Sequence, residues 1–124
     1  RRDLVDKKPD LVQRFVDASV IGWYNYLYGD NAAANELIRK LNPEMTDDII
    51  AQAIAQIKTR GMVQGGDAAE LGIGAMTVAR WTTFVDLMKA NKVFDDKLDV
   101  TKAYTTQFVN KGRAATKTPI TKPR

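Results

Sequence analysis

The residues most suggestive of chemistry are Gly72-Ile73-Gly74-Ala75-Met76-Thr77, a glycine-rich turn running into a helical pattern. Backbone N–H groups at such a turn, with the positive end of a helix dipole at Thr77, can meet an anion. A dinucleotide fingerprint needs a preceding strand, a third glycine and an acid further on, and a P-loop needs a Gly-Lys-Ser/Thr ending. None of these is present. The spacing equally suits a loop whose glycines let backbone pass close to packed side chains. Gly72, Gly74 and Thr77 are therefore the ligand-contact candidates, through backbone alone.

Other groups lead to plainer readings. Asp95, Asp96 and Asp99 cluster, but a calcium loop needs six to eight oxygens, a glycine at the sharp turn and a closing Glu. Here the carboxylates read as turn caps. Glu36, Glu44 and Glu70 lie in separate elements and form no acid–base pair. The chain has no cysteine and no histidine, and its one serine, Ser19, sits in an apolar helical pattern. Thiol and imidazole chemistry, zinc fingers and iron–sulfur clusters are excluded. The expectation is a non-enzymatic chain with no metal and no cofactor.

Periodicity shows what must position these residues. After Pro9, which suits a first helical turn, Leu11, Phe15, Ser19, Trp23 and Leu27 recur every fourth residue, with Val12, Val16 and Val20 alongside. Asp30 caps a second helix that ends at Asn42-Pro43. Thr46, followed by Asp47 and Asp48, opens a third, whose stripe is Ile50, Ile54 and Ile57 and whose stop is Gly61. Residues 61–76 contain five glycines and read as one long loop. Thr77 opens a fourth helix with Val78, Trp81, Val85 and Met88 inward, and a short last helix is expected to carry Tyr104 and Phe108. No strand pattern is convincing. The expected class is all-α, with four main helices and a short one in residues 1–112 and a frayed basic tail in 113–124 that contributes nothing to folding. The expected core includes Phe15, Trp23, Leu27, Ile54, Ile57, Trp81, Val85 and Phe108.

Charge confirms that division. The net charge is +4, yet five of the nineteen basic residues and no acids lie from Asn110 onward, leaving residues 1–109 at −1. A nucleic-acid binder would carry a basic stripe on its folded part, so no nucleic-acid partner is expected. Val20–Leu27, the most apolar stretch, is far short of the roughly 20 residues needed to cross a bilayer. It also presents apolar or aromatic side chains around nearly the whole helix, where a surface helix shows one stripe. Tyr24, Tyr26 and Tyr28, with Trp23, read as packing residues. Such a helix needs cover on several sides, which suggests a truncated chain that self-associates when isolated.

The run Lys8-Pro9-Asp10-Leu11-Val12-Gln13-Arg14-Phe15-Val16-Asp17-Ala18-Ser19, then Gly22-Trp23, Asp30, Ala33-Ala34 and Asn42-Pro43-Glu44, forms a recognisable order. It continues through Gly72–Met76, Arg80-Trp81, Asp86-Leu87-Met88 and Tyr104–Val109. Together these resemble the C-terminal part of ABC-importer solute-binding proteins of the nitrate/sulfonate/taurine and thiamine-pyrimidine-precursor group, over about residues 3–110. The resemblance implies a two-lobed α/β parent that captures a small solute outside the cytoplasm, in the bacterial periplasm or envelope, and delivers it to a membrane permease. It implies that most ligand residues lie outside this chain. The reading from residues alone leaves another possibility open, a free-standing all-α interaction module with the aromatic helix as its groove.

Overall fold

A computed structural model describes residues 1–112 of the chain. The elements are α1 (Arg2–Lys7), α2 (Pro9–Tyr28), α3 (Ala32–Leu41), α4 (Asp47–Thr59), α5 (Ala68–Leu71) and α6 (Val78–Ala90), followed by a 3₁₀ turn at Val100–Lys102. The described part is all-helical and contains no strand. The four main helices are α2, α3, α4 and α6; α1 and α5 are short additions. None of the described helices is long and apolar enough to cross a membrane. The expected tail, 113–124, lies outside the described residues.

Local chemistry explains the helix ends. The Thr46 hydroxyl accepts from the Ile49 N–H (3.4 Å), and the Thr77 hydroxyl accepts from the Arg80 N–H (3.3 Å). The Asp30 carboxylate accepts from the Ala32 N–H (3.0 Å), but the N-cap of α3 is Asn31, one residue later than expected, and it makes no side-chain cap bond. Gly61 closes α4 at φ 60°, with the Gly61 N–H bonded to Lys58 O and the Met62 N–H to Ile57 O. That pair of bonds is the Schellman ending. α6 ends the same way with Lys92 at φ 58°, a left-handed position held by a non-glycine residue.

Among the described residues the helices form no tight bundle: sustained close backbone approach between elements occurs between α1 and α2, neighbours in sequence. Buried apolar side chains among the described residues are Leu27, Ile50, Ile73, Val85 and Phe108. The whole chain exposes 9608 Å². Even granting the twelve undescribed residues the roughly 1900 Å² of an extended chain, the rest exceeds the roughly 6200 Å² of a compact monomer of that size.

Several expectations about the core are corrected. Phe15 is 73% exposed and Trp23 is 43% exposed, so neither is core in this chain. Ile54, Ile57 and Trp81 are half-buried, and Ile50 is the buried member of its stripe. Leu27, Val85 and Phe108 are buried as expected. The reason is that α2 offers apolar groups all round while the chain covers only part of its circumference. The expected last helix is absent as well. Tyr104 and Phe108 lie beyond the 3₁₀ turn in irregular backbone, each held by tertiary contact. Tyr104 stacks on Trp81 (4.8 Å between ring centres, 5° between planes) and Phe108 is buried near Val16 and Val20 of α2, so their i, i+4 spacing does not reflect helical periodicity. The long loop also contains α5.

Candidate functional site

Two grooves run along α2, and both touch the glycine loop. Val16, Val20 and Ile73 line both of them, so they form two flanks of one ridge. One flank is filled by the chain itself and the other is open.

The filled flank holds a strap, residues 108–112. Phe108 is 6% exposed, and its carbonyl accepts from Gln13 Nε2 on α2 (3.1 Å). Lys111 Nζ lies 3.3 Å from Asp17 Oδ1, also on α2. On the other side the strap grips the glycine loop. The Asn110 side chain accepts from the Met76 N–H (3.1 Å) and donates to the Met76 carbonyl (2.7 Å). The Gly112 N–H donates to the Leu71 carbonyl (3.0 Å). The strap thus satisfies backbone groups that a loop would otherwise leave to water.

This arrangement decides how the glycines are used. Gly72 has φ 92°, and a Cβ there would lie 3.0 Å from the Gly112 carbonyl oxygen. Its lack of a side chain is spent on the strap, so the solute-contact expectation for Gly72 gives way to backbone packing. Gly74 has φ 82°; a Cβ there would sit 3.6 Å from Val20 Cγ2, and of the three candidates it alone lines the open flank. Thr77 begins α6, but its hydroxyl donates to Asp67 Oδ2 (2.7 Å). That carboxylate places negative charge beside the helix start, where an incoming anion would be repelled. The proposed anion contact at Thr77 is therefore corrected by a residue that the sequence did not single out.

The open flank is a trough of about 530 Å³. Phe15, Ser19 and Trp23 of α2 form one wall, and Met62, Gly74 and Ala75 the other. Asp67 and Arg80 contribute its polar groups. The Trp23 ring packs edge-on against Tyr26 (6.4 Å). At the far end of α2, Tyr28 donates to Gln64 Oε1 (2.5 Å) and lies under the Lys58 ammonium (5.0 Å). The Ser19 hydroxyl donates back to the Phe15 carbonyl (2.8 Å), so it is a satisfied helical serine.

The acidic turn acts as its residue types suggested. Asp95 Oδ1 accepts from the Lys97 N–H (2.7 Å), and Asp99 Oδ1 accepts from the Thr101 N–H (3.0 Å) and hydroxyl (2.6 Å). The Thr101 hydroxyl and N–H hold the Asp99 carboxyl below the usual aspartate range. Lys89 Nζ donates to the carbonyls of Asp96 (2.8 Å) and Leu98 (3.2 Å), so the turn carries its own cation.

Asn110, Asp67 and Ile73 are the residues that sequence reasoning missed. Asn110 offered one signal, since Asn tolerates the left-handed backbone it adopts here, φ 65°. Compared with protein-family models, curated proteins and solved structures, the chain matches none.

Proposed function

We propose that this chain is the C-terminal segment of a non-enzymatic solute-binding protein that captures a small molecule and delivers it to an ABC importer. Sulfonate, nitrate, taurine or a thiamine precursor is the solute class implied by the resemblance. The observation that carries the reading is the mismatch between a well-capped helical chain and its scant core: α2 holds apolar side chains that nothing in the described residues covers. The two lobes of a binding protein would supply that cover. Met76, which ends the resembling passage Gly72–Met76, is bonded to Asn110, the residue directly after the passage Tyr104–Val109. In this reading the protein acts outside the cytoplasm, its partners are the solute and the permease, and most ligand residues lie upstream.

The trough favours this assignment over solute capture by the chain alone. It is open along one side, while a small polar solute needs an enclosing pocket with several convergent groups. Calorimetry on the purified chain should give no binding heat with sulfonates, nitrate or pyrimidines. The encoding DNA supplies the decisive test. An open frame continuing upstream with alternating strand and helix patterning supports the proposal; a start codon directly before Arg1, or tight solute binding by the monomeric chain, overturns it.

A further inference from the structure

The open flank of α2 has the makings of a self-complementary surface. Phe15 and Trp23 stand at equal distances in sequence on either side of Ser19, all three line the trough, and none carries charge. Large side chains flank a small one, and the small one's hydroxyl is already bonded to the Phe15 carbonyl. Covering this stripe therefore strands no hydroxyl hydrogen at its centre, and its one other side-chain donor is the Trp23 indole N–H at the end of the stripe. Ala18 and Gly22 lie beside it and are likewise small, and a Cβ added at Gly22 would meet nothing within 4 Å.

We propose that the occupant of this face is a second copy of the chain, docked by a two-fold axis through Ser19. Two α2 helices then cross with Ser19 at the point of closest approach. Phe15 of each copy lies against Trp23 of the other. Ridges of residues four apart interdigitate at about −50°, the commonest crossing of packed helices. An isologous contact of this kind closes on itself and yields a dimer rather than a filament. The area supports it. The described part exposes roughly 1500 Å² more than a compact monomer of its size. A standard interface takes about 800 Å² from each partner, so one such contact removes about half of that excess. The inference concerns the chain of residues 1–124 by itself; in the solute-binding reading, other parts of a longer polypeptide take the place of the second copy on the same helix.

The test uses the full chain and the absence of any native cysteine. Sedimentation over a concentration series should show a monomer–dimer equilibrium. Phe15→Glu should weaken it about tenfold or more, as removal of a central aromatic anchor does. Circular dichroism of that variant should match the parent, because Phe15 is exposed and the helix itself is not at stake. Ser19→Cys should give a disulfide-linked dimer on mild oxidation, while Ala34→Cys, exposed on α3, should not. A monomer at every concentration would overturn the inference and leave the solute-binding reading standing. Equal cross-linking at both cysteines, or dimers undisturbed by Phe15→Glu, would overturn it too by placing the contact elsewhere.

Discussion

The two flanks of α2 both carry apolar side chains and meet opposite fates. On one, the ridge residues Val16 and Val20 meet Phe108 and a strap whose backbone is bonded on both sides. On the other, Phe15 and Trp23 face an open trough. Apolar character is thus no guide to burial within this chain. What separates the flanks is a covering segment whose own polar groups are satisfied. Gln13 donates to the Phe108 carbonyl and the Gly112 N–H donates to the Leu71 carbonyl, while the Asn110 amide in turn satisfies both backbone groups of Met76 in the loop.

The largest contrast should come from paired truncations. Phe108→Ala removes a buried ring and should cost about 3–5 kcal/mol. Phe15→Ala on the exposed flank should stay within about 0.5 kcal/mol at monomeric dilution. Urea unfolding of both variants measures the difference, and equal losses would mean that the flanks are not distinct.

A smaller effect tests whether the strap depends on Asn110. Asn110→Gly keeps the left-handed backbone but deletes both bonds to Met76, and should cost about 1–3 kcal/mol. Gly72→Ala should cost more than about 1 kcal/mol, through its positive φ and the approach of the Gly112 carbonyl. The two variants act on the same contact, so their combination should cost less than the sum of the separate effects.

The smallest effect lies far from α2. NMR titration should find the Asp99 carboxyl below the ordinary aspartate range, and Thr101→Val should raise it by removing the hydroxyl bond. Because the folded value is the depressed one, this contact stabilises the fold above the unfolded value of about 3.9. The contribution is lost as pH falls through the folded value. Both flanks of α2 should be indifferent to that substitution.

Much of this molecule was readable from local chemistry. Thr46, Thr77 and Gly61 mark helix ends because capping and left-handed turns depend on a few neighbouring atoms. Helical class followed for the same reason, since amphipathic spacing is a property of short windows. The strap, the use made of Gly72 and the Asp67–Thr77 bond were not readable. Each joins residues through tertiary contact: Gln13 meets the Phe108 carbonyl across 95 positions, and Asn110 meets Met76 across 34. Periodicity could say that Phe15, Trp23 and Leu27 share a stripe, but not that the chain covers Leu27 and leaves the two aromatics open. Burial depends on which other segment arrives, and only the tertiary structure decides that.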